Sequence, residues 1–124
     1  MEMRKLYTGV LVAHLVIEII GASALLMAPD FLVDASNASA LLWSWNYAFV
    51  ALGVASLVFW AWPHLESYAA SGVALGILAS FHLALGIALL IKLALLPDII
   101  LHNLFGLLCL YLYFKRSAWC TDAP

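Results

Sequence analysis

Four long apolar runs limit what this chain can fold into. They cover about residues 6–28, 40–62, 68–93 and 99–118. A helix needs about 20 apolar residues to cross a bilayer core about 30 Å thick, because each residue adds about 1.5 Å. Each run is long enough for one crossing. We therefore predict an all-α fold, an integral membrane four-helix bundle that forms a single transmembrane domain over residues 1–124.

The composition excludes an ordinary water-soluble domain. The chain is 67% hydrophobic and only 10% charged, and its mean hydropathy is +1.09. Soluble domains carry about 25% charged residues, so these charges are too few to cover a hydrated surface. The formal net charge of −2 gives no reason to expect a nucleic-acid partner. We expect the lipid bilayer to be the main environment of the chain.

Prolines and a polar loop separate the runs. Pro29 and Pro63 follow the first two runs, and Pro97 precedes the fourth. Proline cannot continue the hydrogen-bond ladder of a helix, so each one marks a boundary. The polar loop 34–39 lies before the second run and offers a candidate N-cap.

Basic residues at the two ends of the chain predict its orientation. Arg4 and Lys5 precede the first run, and Lys115 and Arg116 close the fourth. By the positive-inside rule both termini face the cytoplasm, in agreement with an even number of crossings. Aromatic residues near the ends of the runs are typical of an interfacial belt. They are Tyr7, Trp43, Trp45, Trp60, Trp62, Tyr68, Tyr113 and Trp119.

Two histidines occupy equivalent places in the first and third runs. His14 and His82 each lie fifteen residues before a Pro-Asp pair, and the offset between the two patterns is 68 residues. This favours two helical hairpins of common ancestry, although two short anchors can also coincide by chance. Because both runs cross in the same direction, we expect the two imidazoles at similar depth, about 22 Å from their Pro-Asp boundaries.

Six polar residues are candidates for a ligand-binding site. Glu18 follows His14 by one turn, so the two side chains share a helix face. A charge at mid-membrane costs about 2.5–3.5 kcal/mol, so we expect Glu18 to be protonated, hydrogen-bonded or turned to a wet cavity. A hydrogen-bonded clasp between helices is the structural alternative to a site. The candidates are His14, Glu18, Asn46, His82, His102 and Asn103.

Small residues recur at every fourth position of the third run. They are Gly72, Gly76, Ser80, Ala84 and Ala88, which we call the small-residue stripe. Small residues at this spacing let helix backbones approach closely. We expect the stripe to pack against another span of this chain, which is the commoner use. A second copy and a different subunit are the alternatives.

Three kinds of chemistry stay open for the membrane histidines. A bis-histidine haem would use His14 and His82, and Gly86 would make room for the porphyrin. A two-histidine, one-carboxylate metal site would add Glu18 to the same histidines. Acid–base chemistry on a lipid would need a proton shuttle between Glu18 and a histidine. We assign no catalytic residue and no metal, and haem is the one cofactor considered.

Two segments carry a resemblance to a known family. LLMAPDFL at 25–32 follows the first run, and FHLALGIALL at 81–90 lies in the third. With the chain length and the four runs, they resemble the DoxX-like group of small bacterial four-helix membrane proteins. The resemblance implies a multi-pass protein of the bacterial inner (plasma) membrane. Some members of the group look like accessory subunits of membrane oxidoreductases, and no catalytic residue carries over.

These observations lead to one expected function and one alternative. We expect an accessory or scaffold subunit of a membrane complex, or a binder of a small apolar ligand such as a quinone or a lipid, without catalysis of its own. Its partner would be a membrane protein or a second copy of the chain. The alternative is a small haem-binding or acid–base membrane enzyme that uses His14, Glu18 and His82.

Overall fold

A computed structural model of the protein describes residues 2–31, 33–34, 36–91 and 96–123. All regular structure in these ranges is helical. The α-helices are α1 (Glu2–Met27), α2 (Ala38–Ala55), α3 (Leu57–Ala61), α4 (Tyr68–Ile91) and α5 (Leu96–Lys115). Short 3-10 helices lie at Pro29–Phe31, Trp62–His64 and Arg116–Ala118.

Four helical segments of the described chain are long and apolar enough to cross a membrane. Only 22% to 33% of the residues in the apolar stretch of each segment are buried. Most of their side chains therefore face outward, as contact with lipid requires. The segments are Glu2–Met27, Ala38–His64, Tyr68–Ile91 and Leu96–Ala118. The predicted all-helical fold with four candidate membrane spans is confirmed.

The helix boundaries differ from the predicted ones in places. α5 begins at Leu96, so Pro97 lies inside its first turn rather than before the helix. A proline is tolerated there because the first amides of a helix have no partner within the helix. Residues 92 and 93, the predicted end of the third run, lie outside the described residues.

Side chains of the polar loop fix the start of α2. Asn37 is the N-cap, and its Oδ1 accepts hydrogen bonds from the amides of Ser39 at 3.0 Å and Ala40 at 3.2 Å. This confirms the predicted N-cap. Asp34 accepts from the hydroxyl and the amide of Ser36, and these bonds lower the pKa of its carboxyl below the ordinary value.

The second span is interrupted at Ser56. The Ser56 hydroxyl donates to the carbonyl of Gly53 at 2.7 Å, and its amide donates to the carbonyl of Leu52 at 3.0 Å. The amide of Phe59 reaches back only three residues, to the carbonyl of Ser56 at 3.0 Å. Such a tightened turn, with a hydroxyl bonded to the preceding turn, is typical of a bent helix. Hydropathy alone does not reveal this break.

The chain divides into two compact units. One consists of residues 9–60 and the other of residues 1–8 with 61–124, so α1 contributes to both. In the unit of residues 9–60, α1 and α2 meet through small side chains, which let the two backbones lie close together. This core consists of Ala22, Leu25, Ala48 and Ala51, with Leu26, Tyr47 and Leu52 packed against it.

In the unit of residues 1–8 and 61–124, α4 and α5 approach each other closely at two glycines. A Cβ at Gly86 would lie 2.4 Å from Nδ2 of Asn103. A Cβ at Gly106 would lie 2.7 Å from Cγ of Leu83. Both distances are far below van der Waals contact, so the space over each glycine is filled by a side chain of the opposite helix.

The C-terminal tail of the same unit folds onto the turn before α4. The indole nitrogen of Trp119 donates to the carbonyl of Leu65 at 3.0 Å. The amide of Thr121 donates to the carbonyl of Glu66, also at 3.0 Å. The Trp119 ring lies 5.4 Å from the ring of Tyr7. Trp119 is 8% exposed and Tyr7 0%, whereas Trp43 is 72% exposed. Trp119 and Tyr7 are therefore core residues and not part of an interfacial belt.

Asp122 caps α4 from a distance of 54 residues along the chain. Its Oδ1 accepts from the amide of Tyr68 at 2.5 Å, and its Oδ2 accepts from the hydroxyl of Ser67 at 3.2 Å. The bond from the Tyr68 amide is the main reason that the pKa of the Asp122 carboxyl lies below its ordinary value. A carboxylate at a helix N-terminus also interacts favourably with the helix dipole.

Candidate functional site

The six candidate ligand-binding residues are distributed over both compact units. The unit of residues 9–60 contains His14, Glu18 and Asn46. The unit of residues 1–8 and 61–124 contains His82, His102 and Asn103. Four of the six lie in two pairs, each pair within one unit.

His14 connects α1 to the interrupted end of α2. Its Nε2 lies 3.3 Å from the carbonyl oxygen of Val54, and the residue is fully buried. A carbonyl only accepts hydrogen bonds, so Nε2 carries the hydrogen. Val54 belongs to the last turn of α2, where carbonyls lack a partner within the helix. His14 therefore ties α1 to the last turn of α2, next to the break at Ser56.

Glu18 lies one turn along α1 from His14. The distance from His14 Nδ1 to Glu18 Oε1 is 3.9 Å, and Glu18 is 3% exposed. With the hydrogen on Nε2, Nδ1 of a neutral His14 presents its lone pair toward this carboxyl group. The pair places an acidic and a basic group next to each other on one side of α1.

Asn46 lies on an exposed side of α2, together with Trp43, Phe49 and Val50. We expected its amide to face the interior with the other candidates. Its exposure separates it from the buried polar residues. The sequence placed Asn46 in the second run but did not show on which side of the helix it lies.

His82 of α4 and His102 of α5 form a direct pair. Their Nδ1 atoms are 2.9 Å apart, and their rings are stacked with centroids 5.2 Å apart. His82 is buried and His102 is half-buried. One Nδ1 donates and the other accepts, so in the neutral pair the two rings hold opposite tautomers. The pair therefore links α4 to α5 by one hydrogen bond.

Aromatic side chains enclose the buried member of this pair. The ring of Phe105 lies 4.6 Å from that of His82, and the ring of Phe81 lies 5.2 Å from it in an edge-on arrangement. The surroundings are therefore apolar, and they strengthen the hydrogen bond between the two imidazoles.

The space beside Gly86 is occupied. Asn103 packs into it, and its Nδ2 donates to the carbonyl of Ile99 at 2.8 Å. The room at Gly86 that we predicted for a porphyrin is occupied by the amide of Asn103 in this structure, and the haem site stays a prediction. The ligand set of His14, Glu18 and His82, whether for haem, for a metal ion or for proton transfer, stays a prediction.

The small-residue stripe of α4 is open along most of its length. Gly72 is buried, and Gly76 is half-buried, with no atom within 4 Å of the place that a Cβ would take. Ser80, Ala84 and Ala88 are exposed. The side of α4 that meets α5 carries His82 and Gly86 instead. Packing within the chain, the use that we expected, is not found at the three exposed positions.

An apolar groove of about 580 Å³ lies along α5. Phe105 lines this groove and also packs against His82. The other lining residues are Leu96, Pro97, Ile100, Leu101, Leu104 and Leu108. Sequence reasoning missed the groove, because the spacing of these residues resembles any lipid-facing helix side.

Comparisons of the chain with protein families, with curated proteins and with solved structures find no match. The four long apolar helical segments define the chain as a candidate multi-pass membrane protein. The predicted resemblance to the DoxX-like group stays a prediction.

Proposed function

We propose that this chain is an accessory or scaffold subunit of a membrane protein complex, and that the exposed part of the small-residue stripe on α4 is its contact surface. The observation that carries the proposal is the contrast between glycines of one helix. Gly86 is filled by a side chain of α5, whereas Gly76 has open space around it. Small residues that let backbones approach are useful only where another helix comes close.

The hydrogen bonds of the polar residues support a structural role within the subunit. His14 donates to Val54 of α2, and His82 is paired with His102 of α5. Asn103 is bonded to the carbonyl of Ile99 within its own helix. Each bond ties a polar group to the protein in a region where contact with lipid is costly. The bonds of His14 and His82 each connect two helices, which is the behaviour of groups that hold helices in place.

The native mass of the purified protein tests this proposal. The protein is extracted from its own membranes in mild detergent, as wild type, as Ala84→Leu and as Ala69→Leu. Ala69 is an exposed alanine in the first turn of α4, about 22 Å along the helix axis from Ala84, so Ala69→Leu is the matched control. We expect the wild type and Ala69→Leu to elute with a partner in fixed stoichiometry, and Ala84→Leu to lose it.

Two results contradict the accessory role. If the wild type and Ala84→Leu both elute as the 13.5 kDa chain in detergent, the stripe has no partner. If the wild type elutes as two copies of itself and Ala84→Leu as one, the stripe mediates self-association instead.

A second candidate function is the binding of a small apolar molecule such as a quinone or a lipid, and the groove on α5 favours it. Its lining is wholly apolar, and such a surface suits an isoprenoid or acyl chain. Leu104→Trp fills the groove, and Leu107→Trp is the matched control because Leu107 is exposed on α5 but does not line it. Organic extracts of the purified proteins, analysed by mass spectrometry, should lose the bound molecule only with Leu104→Trp. An equal amount in both variants contradicts binding in the groove.

A further inference from the structure

Arg116 is held in a fixed position at the end of α5. Its guanidinium carbon lies 4.0 Å from the ring centroid of Tyr68 and 4.0 Å from that of Tyr113. Its Nη1 donates to the carbonyl of Tyr113. Two aromatic rings around one guanidinium limit its rotation and stabilise its charge. Arginine side chains at a protein surface usually have far more freedom.

The backbone of α4 makes room for this arrangement at Gly72. A Cβ at Gly72 would lie 3.1 Å from Nε of Arg116, so the guanidinium rests against the helix surface. The Nε atom is buried and has no hydrogen-bond partner among the described residues. Arg116 as a whole is half-buried, so part of its side chain is accessible from outside.

No carboxylate lies within ion-pair distance of Arg116 in the described part of the chain. The other arginine, Arg4, differs in this respect because it pairs with Glu66. Lys115, next to Arg116, is exposed and adds a second positive charge. A fixed guanidinium with a neighbouring lysine and no carboxylate in ion-pair contact is suited to an external anion.

The position of Arg116 selects the anion. It lies near the end of the candidate span Leu96–Ala118, and aromatic side chains surround it. Span ends with aromatic residues lie at the level of the lipid headgroups, where phosphate groups are abundant. A guanidinium donates two parallel hydrogen bonds to phosphate oxygens, which an ammonium group cannot do.

We propose that Arg116, assisted by Lys115, binds the phosphate group of an anionic phospholipid, and that Tyr68 and Tyr113 hold the guanidinium ready for it. This site is independent of the proposed partner surface on α4 and of the groove on α5. The same chemistry would bind free phosphate, so the experiment separates the two sources.

Native mass spectrometry of the full-length protein in detergent tests the site. Phosphatidylglycerol, phosphatidylcholine or inorganic phosphate is added to the wild type, Arg116→Gln and Arg4→Gln. Arg4→Gln is the matched control because it removes an arginine whose charge is already paired. We expect the wild type and Arg4→Gln to retain phosphatidylglycerol in preference to phosphatidylcholine. Arg116→Gln should bind phosphatidylglycerol about tenfold more weakly, as expected for the loss of a charge-assisted pair of hydrogen bonds.

A further variant keeps the test decisive if Arg116→Gln does not fold. Arg116→Lys keeps the charge but loses the flat, forked donor, so its preference for phosphatidylglycerol should fall as well. Three results overturn the proposal. The first is an unchanged preference for phosphatidylglycerol in Arg116→Gln or Arg116→Lys. The second is a loss of phosphatidylglycerol binding in Arg4→Gln equal to that in Arg116→Gln. The third is displacement of the lipid by equimolar inorganic phosphate.

Discussion

Both sides of α4 carry small residues, but the two sides differ in what lies against those residues. On one side, Asn103 fills the space over Gly86, and His82 pairs with His102. On the other side, Gly76 has open space around it. Ser80, Ala84 and Ala88 continue that open side and are exposed. Residue size alone therefore does not decide where a membrane helix is packed.

The difference teaches how to interpret small residues in an apolar helix. A small residue gives no stabilisation by itself, because it stabilises packing only when a second helix backbone approaches it closely. On the side that meets α5, the second backbone belongs to the same chain. On the open side, no described residue lies within 4 Å of the place that a Cβ of Gly76 would take, and this contrast is the basis of the proposed accessory role.

The largest expected effect comes from crowding the packed side. Gly106→Val forces a side chain against Leu83, whose backbone nitrogen lies only 3.0 Å from a Cβ at this position. We expect a loss of about 3 kcal/mol in the free energy of unfolding, the upper part of the range for overpacking. Thermal or denaturant unfolding in detergent measures it.

The matched control for Gly106→Val is Gly76→Val on the open side. A Cβ at Gly76 meets nothing within 4 Å, so the isolated subunit should change by less than about 0.5 kcal/mol. Equal destabilisation by the two substitutions would remove the distinction between the two sides of α4.

An intermediate effect is expected from the polar part of the packed side. His102→Ala removes the 2.9 Å hydrogen bond to buried His82. We expect a loss of about 1–2 kcal/mol, since a buried ring nitrogen then loses one of its bonds. His64→Ala, at an exposed histidine, is the control and should leave stability unchanged. If His102→Ala unfolds at the wild-type temperature, the histidine pair does not hold α4 to α5.

The smallest effect concerns the first turn of α4, which both sides share. The pKa of Asp122 is lowered by the Tyr68 amide in the folded state. The ionised carboxyl therefore contributes fully to the stability of the folded state at neutral pH. This contribution is lost as the pH falls through the lowered pKa, because a protonated carboxyl is a weaker acceptor. The measurement is the fluorescence of Trp119 in a variant from which the other tryptophans have been removed, followed from pH 7 to pH 3. A change in this fluorescence should report release of the C-terminal tail from the start of α4. Asp122→Asn keeps the acceptor oxygen and should show no such transition, and an identical transition in that variant contradicts the assignment.

The sequence predicted the helical spans because their cause is local. Crossing a bilayer requires a fixed number of consecutive apolar residues, and hydropathy measures that directly. The N-cap at Asn37 was predictable for a similar reason, since a capping side chain bonds to amides two and three residues away. The break at Ser56 was not predictable, because it depends on which carbonyl accepts the hydrogen bond of one hydroxyl.

The contacts between distant residues were beyond the sequence pattern. Spacing placed His82 on one side of its helix, but it did not identify His102 as the partner. Gly86 was recognised as a gap, yet the identity of the filling group depends on the rotation of α5. The capping of α4 by Asp122 joins residues 54 positions apart, and no local rule connects them. Asn46 shows the converse, a polar residue whose depth was deducible but whose outward direction was not.

The central claim is that the open side of α4 contacts another membrane helix, and photo-crosslinking in intact membranes tests it most directly. A photo-reactive amino acid is placed at Ala84 on the open side or at Leu107, an equally lipid-accessible position of α5. We predict a discrete protein adduct from Ala84 and only lipid adducts from Leu107. Lipid adducts alone from both positions, or the same protein adduct from both, would contradict the account.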